Sequence, residues 1–167
     1  ARFEDTGRLS SGQAREMGIV GPAARACGLA RDIRYTHPSG MYSFRQIPVS
    51  TCETGDVQAR AYVRWLEIQQ SFAFLRGLLG EMPRGPVAAA TLRPQKESMA
   101  VALTEGWRGE VCHVAITNAE GKFSRYKVVD PSFHNWTALA LVLRNQEISD
   151  FPLCNKSFNL SYCGHDL

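Results

Sequence analysis

A chain of 167 residues, 44% apolar and 21% charged, is enough for one domain with its own core, or for a portion of a larger one. Its formal charge is +3, from 19 Lys and Arg against 16 Asp and Glu, and the basic residues are scattered rather than blocked, which excludes the electrostatic footprint of a nucleic-acid binder. The longest apolar run, ALALVL at 138–143, falls far short of the roughly 20 residues a membrane helix needs, so no direct membrane insertion is expected and any membrane association should come through partners. The polar start ARFEDTGRLSSG has neither the basic nor the apolar region of a signal peptide, and the absence of an initiating Met predicts a fragment whose N-terminal portion lies elsewhere. Five cysteines (Cys27, Cys52, Cys112, Cys154 and Cys163) form no C-x-x-C pair and read as free thiols.

In chain order, the first forty residues read as short helices and turns. GPAARACGLARD (21–32) has Pro in a helical first turn and small residues that permit close packing. Pro38 and Pro48 make RYTHPSGMYSFRQIPVS (34–50) an ordered loop. Next comes the strongest periodic signal. Thr54 is the expected N-cap, Asp56 favours the positive end of the helix dipole, and Asp56–Arg60 is an i,i+4 charge pair on the flank. Apolar residues recur at Val57, Ala61, Trp65, Ile68, Phe72, Leu75 and Leu79, one stripe on one face, until Gly80 and Pro83 stop the helix. Such a rod, roughly 37 Å long, predicts the spine of a bundle. MPRGPVAAATLRP (82–94) is a Pro/Gly-rich connection, and PQKESMAVALTEG (94–106) is expected as a short helix. EVCHVAI (110–116) and KFSRYKVVD (122–130) flank the turn NAEG as a hairpin, with Cys112, Val114 and Ile116 on one face and Val111, His113 and Ala115 on the other. HNWTALALVLRN (134–145) predicts a last helix, followed by twenty irregular residues containing Pro152. The fold class expected is therefore α+β, mainly helical: a bundle around one long helix at about 55–80 with a small antiparallel hairpin at about 110–129.

Chemistry is sparse by motif alone. Cys154, Cys163 and His165 could supply zinc ligands, but zinc sites favour paired cysteines at short spacing. His113 reads as a hydrogen-bonded strand histidine, and His37 and His134 have no sequence partner. EGWRGE (105–110) is more unusual: Arg108 between two glycines is either a solvated turn residue or a guanidinium held to meet an anion or small ligand.

Four stretches carry a resemblance. GIVGPAARACGLARDIRYTHP (18–38) is similar to G-x-x-G-P-x-x-R-A-S-G-x-x-x-D-x-R, GDVQARAYVRWLEIQQS (55–71) to the helix G-D-x-x-x-R-x-x-x-R-x-x-E, EGWRGEVCH (105–113) to E-x-x-R-G-x-x-x-H, and PSFHNW (131–136) to the segment after it. Together, in that order, they resemble the C-terminal half of a [NiFe]-hydrogenase large subunit of the group-4 type (hydrogenase-3/4, formate hydrogenlyase-like) and the related 49-kDa subunit of complex I, over nearly all of residues 1–167. The resemblance implies a helical bundle with small β elements. It implies that Arg108 matches the arginine over the Ni–Fe centre and Ser132 the residue that hydrogen-bonds an iron-bound cyanide. Laid on the ligand pattern S-F-D-P-C-x-x-C-x-x-H, KSFNLSYCGHDL places Ser157 and Phe158 in register, Asn159 for the aspartate, Leu160 for the proline, Ser161 and Gly164 for the two cysteines and Leu167 for the histidine, with Cys163 one residue out. No metal ligand is therefore expected at this end, since a hydroxyl is not a soft thiolate and glycine has no side chain.

The expectations follow. The chain would be a large-subunit component of a membrane-associated respiratory oxidoreductase, without a Ni–Fe centre and serving quinone-linked or other electron transfer. It would hold no cofactor itself, and quinone would bind in the full complex. Its partners would be a small iron–sulfur subunit, membrane subunits and the N-terminal half of the same subunit, on the cytoplasmic face of the cell membrane, and the fragment alone would be inactive. Two rivals stay open: a hydrogen-evolving enzyme with a modified site using Cys163 or His165, and a non-catalytic scaffold. Glu105, Glu110 and His113, close to Arg108 in sequence, are candidate proton carriers.

Overall fold

The computed structural model describes residues 2–86, 88 and 93–167. Among them are seven α-helices and a three-stranded antiparallel sheet in the order β1-β2-β3, the α+β fold expected. The chain runs through α1 (Ser11–Glu16), α2 (Gly21–Arg25), α3 (Ile33–Thr36) and a 3₁₀ turn (Gly40–Ser43) into α4 (Val57–Gly80). After it come β1 (Met99–Gly106), β2 (Gly109–Thr117), β3 (Phe123–Val129), α5 (Pro131–Val142), a second 3₁₀ turn (Ile148–Asp150), α6 (Phe151–Phe158) and α7 (Tyr162–His165).

Local chemistry sets most boundaries. Ser10 and Gln13 form a capping box on α1, and Asp32, Asp130 and Ser161 cap α3, α5 and α7 through side-chain oxygens. The cap of α4 is Asp56, whose carboxylate accepts from Ala59 N, while Thr54 donates its hydroxyl to Asp56 rather than capping the helix itself. Two expected elements differ. Residues 99–106 form strand β1, paired Met99↔Ile116 through Gly106↔Gly109, because β2 offers a free edge and ladder hydrogen bonds outweigh the helix propensity of MAVAL. The last twenty residues are not irregular: Pro152 sits in the first turn of α6, where a missing N–H costs nothing, and Asn159 ends that helix in the left-handed region at φ 54°. The 82–94 connection falls in part on residues 87 and 89–92, which lie outside the described residues.

The core is built from short helices and the first turns of α4. Leu9, Ala14, Ile19, Ala23, Ala24, Cys27, Val57, Ala138, Leu139, Val142, Cys154 and Phe158 form one cluster, with Ala26, Ala59 and Val63 beside it. All five cysteines are free, and burial pushes the Cys27 thiol up to about 11. Of the stripe that predicted it, the long helix buries only Val57. Its buried residues are Val57, Ala59, Arg60, Val63 and Arg64, whereas Trp65 (54%), Ile68 (37%), Phe72 (59%), Leu75 (52%) and Leu79 (65%) are exposed.

Two glycines join the helical body to the sheet. Gly21, at φ +67°, lies against the β1–β2 turn so closely that a Cβ there would meet Arg108 O and Gly109 Cα at 2.3 Å. Asn135 of α5 locks the same junction: its Oδ1 accepts from Val20 N (3.0 Å), and its Nδ2 donates to Val20 O (3.1 Å) and Arg108 O (3.3 Å). Gly18, at φ +65°, has nothing within 4 Å of its would-be Cβ. Gly18→Ala should therefore cost only the left-handed backbone term, about 1–2 kcal/mol, whereas Gly21→Ala adds an overpacking cost and should lose about 2–5 kcal/mol. Urea unfolding of the two variants measures the difference.

Candidate functional site

The tail and the β1–β2 turn meet over the buried face of α4. Arg60 and Arg64, one helical turn apart, both reach the carboxyl end of α6. Arg64 donates through Nη1 to Ser157 O (2.5 Å) and through Nη2 to Phe158 O (3.0 Å). Arg60 donates from Nε to Ser157 Oγ (2.8 Å) and from its two terminal nitrogens to Gly55 O (2.8 Å) and Gly7 O (3.0 Å). Arg108 closes the set, its Nε donating to Asn159 O. The last carbonyls of a helix have no intrahelical partner and sit at the negative end of its dipole, so Arg64 and Arg108 satisfy them while Arg60 adds a third positive charge beside that end. Phe158 lies under Arg60 (4.4 Å) and Trp107 beside Arg64 (5.4 Å). Burial pulls Arg60 and Arg64 down to about 10, so both remain charged at neutral pH.

From this anchor the tail is directed onto the start of α5. Ser132, fully buried, accepts at Oγ from Ser161 N (2.9 Å), and Ser161 Oγ accepts from Gly164 N (3.0 Å). A Cβ on Gly164 would meet Cγ, Oδ1 and Oδ2 of Asp130 at 2.6–2.9 Å. Arg108, Asn159, Ser132, Ser161 and Gly164, distant in sequence, are thus brought to one place. The residues present do not fit a Ni–Fe centre at this end: the Ser161 hydroxyl is spent as a helix cap, and the Asp130 carboxylate fills the space a side chain at Gly164 would need. Among the described residues no group of three His, Cys, Asp or Glu side chains could hold a metal ion. Cys163 is exposed, while His165 is stacked between Phe133 and Trp136, 5.7 Å from each ring.

A second cluster lies on the other side of Arg64. Arg25, fully buried, donates from Nε to Glu67 (2.6 Å) and from Nη1 to Glu105 (2.9 Å) and Arg31 O (2.7 Å). Asp32 is 3.6 Å from Arg25 and is gripped by Arg34 at 2.6–3.3 Å. Burial pushes the Asp32 carboxyl up, but Arg34 and Arg25 outweigh it and hold it below the usual range. For Glu105 burial wins: its carboxyl is raised despite Arg25, with Asp32 adding to the rise. Glu67, Glu105, Arg34 and Arg64 border a cavity of about 470 Å³, whose apolar wall is Tyr42, Ile68, Phe72, Leu75 and Trp107.

The three sequence candidates for proton handling go to separate partners. Glu105 joins this cluster. Glu110, opposite it in the ladder, binds Arg31 (2.7 Å), so two like charges across the sheet are each offset by an arginine. His113 Nδ1 meets Tyr126 Oη (2.9 Å) on the sheet. Asp130 lies outside the four motifs; Arg25 and Arg64 are fixed positions in two of them and Asn135 falls within a third stretch, but the sequence did not say which groups these side chains would bind. For Arg64 a signal existed, since Arg60, Arg64 and Glu67 are spaced 4 and 3 apart and share a helical face.

With this geometry in hand, the chain can be placed among known proteins. Residues 1–101 match the family described as respiratory-chain NADH dehydrogenase, 49 Kd subunit, and the chain belongs to that family. It is 36% identical over 158 residues to the carbon monoxide-induced hydrogenase of Rhodospirillum rubrum, covering 95% of this chain and 44% of that protein. It is 30% identical over 151 residues to an NADH-quinone oxidoreductase component from Solibacter usitatus, covering 89% and 41%. To formate hydrogenlyase subunit 5 of Escherichia coli it is 31% identical over 156 residues, covering 93% and 27%. The chain spans less than half the length of these relatives. Its fold is that of a chain in the membrane-bound sulfane sulfur reductase, an archaeal respiratory membrane complex, with a TM-score of 0.90 at 24% identity over 99% of this chain and 47% of that one.

The Asp130–Gly164 contact is directly testable. Gly164→Ala should cost about 1–3 kcal/mol by overpacking. In an Asp130→Ala background, which itself loses the α5 cap, the added cost should shrink, giving a favourable coupling of at least about 0.5 kcal/mol in a double-mutant cycle read by urea unfolding.

Proposed function

We propose that this chain is the C-terminal half of a large subunit in a membrane-associated respiratory oxidoreductase of the complex I and group-4 hydrogenase type, lacking a Ni–Fe centre and serving quinone-linked or other electron transfer. The observation that carries the reading is the pair Ser161 and Gly164 at the positions the resemblance gives to ligand cysteines, with Asp130 against Gly164 where a thiolate would stand. A side chain at position 164 would have to displace the Asp130 helix cap, which supports the reading that no ligand stands there. The partners on this reading are an iron–sulfur small subunit, membrane subunits and the remaining portion of the same large subunit. Membrane association on this reading would be peripheral and on the inner face; no helix among the described residues is long and apolar enough to cross a membrane.

In this role the arginine set is structural. Arg108 spends its Nε on Asn159 O, which holds the tail in place. The second reading, hydrogen chemistry at an altered centre, is favoured by the identity to the R. rubrum hydrogenase.

Metal analysis and infrared spectroscopy of the purified full complex separate the two. The expected result is no stoichiometric nickel and no bands of iron-bound CO or cyanide, with reduction of a short-chain quinone analogue by the complex. Stoichiometric nickel together with those bands overturns the proposal in favour of the hydrogenase reading.

A further inference from the structure

From Trp65 onward the apolar stripe on α4 has no cover among the described residues. At roughly 100° per residue, Trp65, Ile68, Phe72, Leu75 and Leu79 lie about a third of a turn around the helix from the buried face of Arg60, Val63 and Arg64. No described residue of α4 beyond Arg64 is buried, so about 24 Å of helix presents large apolar side chains outward. The 3₁₀ turn covers the other flank only, through the Tyr42–Phe74 stack (5.2 Å) and the Arg45–Glu81 pair. Five large apolar side chains in one row are far more than the scattered single exposures of an ordinary surface.

We infer that a helix from the part of the subunit outside these 167 residues lies along this stripe and seats a large apolar side chain in the adjoining cavity of about 470 Å³. The inference rests on the reading that the chain is one portion of a longer large subunit. Its first support is length: more than half of each relative lies beyond the matched region, 44% and 41% being covered in two of them. The second is pattern, because steps of 3 and 4 along the stripe are the ridges that a second helix packs into. A third is charge. The exposed stretch WLEIQQSFAFLRGLLG (65–80) carries Arg76 as its single basic residue, too little for a helix lying on an anionic lipid surface. The stripe itself holds no charge for a charged partner to match.

The test is hydroxyl-radical footprinting of the full-length subunit, purified apart from the other subunits and held monomeric by light scattering. Oxidation of Trp65, Phe72 and Leu75 should fall severalfold relative to the urea-unfolded subunit. Oxidation as fast as in the unfolded subunit overturns the inference, and so does protection that appears only in a dimer or only after the other subunits are added. Phe72→Asp in the full-length subunit should abolish that protection and the yield of monomer. Ile148→Asp, at a residue 94% exposed and off the stripe, should leave both unchanged. Equal behaviour of the two variants overturns the inference. Metal content and quinone reduction are read separately, so failure here leaves the reading of the ligand positions standing. A subunit whose mass shows no polypeptide beyond these residues overturns both the inference and the reading on which it rests.

Discussion

Arg64 sits on a helix face where a core would ordinarily place leucine, and its guanidinium holds the carbonyls of Ser157 and Phe158 at the end of α6. That interaction fixes where the tail goes. α6 is eight residues long and its terminal carbonyls turn into the protein, so without donors they would be buried and unpaired. Arg60 and Arg108 complete the reception from the same helix and from the β1–β2 turn, and the sheet, α4 and the tail are tied at one point. Burying charge in this way is expensive unless every partner is in place; removing one partner of such a set typically costs about 3–5 kcal/mol.

The position of the tail decides what the site can be. Because α6 ends where it does, Asn159 turns in the left-handed region, Ser161 caps α7, and Gly164 comes to rest on Asp130. The junction of Gly21, Gly109 and Asn135 aligns the other side, bringing the G-x-x-G-P stretch and the R-G turn to backbone contact. These motifs look catalytic when read by family likeness. In this chain they are first of all the places where backbone must approach backbone, while their charged side chains divide between main-chain carbonyls, as Arg108 does, and the carboxylate cluster of Arg25, Glu67 and Glu105 beside the cavity.

Much of this was legible in the sequence. The α+β class, the long helix and the 110–129 hairpin follow from periodicity and turn residues, and four motifs in order carry the family. Strand β1 was not legible, because MAVAL has helix-forming residues and becomes a strand only by pairing with β2. Nor was α6, whose Pro152 reads as a breaker until its place in the first turn is known. The deepest inversion concerns α4. Its apolar stripe predicts a core face, and beyond Val57 the stripe is exposed, while the face carrying Arg60 and Arg64 is the one this chain buries. Periodicity reveals that a helix has faces; it does not say which neighbour each face meets. For the site, the resemblance assigned Ser161 and Gly164 to ligand positions, but the Asp130 carboxylate against Gly164 was not readable, since it depends on a contact between residues 34 apart in sequence.

The central claim is that the arginine face of α4 sets the tail and everything the tail positions. Amide hydrogen exchange in an Arg64→Met variant, which keeps the side-chain bulk and removes the donors, tests it most directly. The account predicts that the Ser161 and Gly164 amides, bonded to Ser132 Oγ and Ser161 Oγ, lose their protection while the β1–β2 ladder amides keep theirs. Tail amides that exchange as slowly as in the unmodified chain would contradict it.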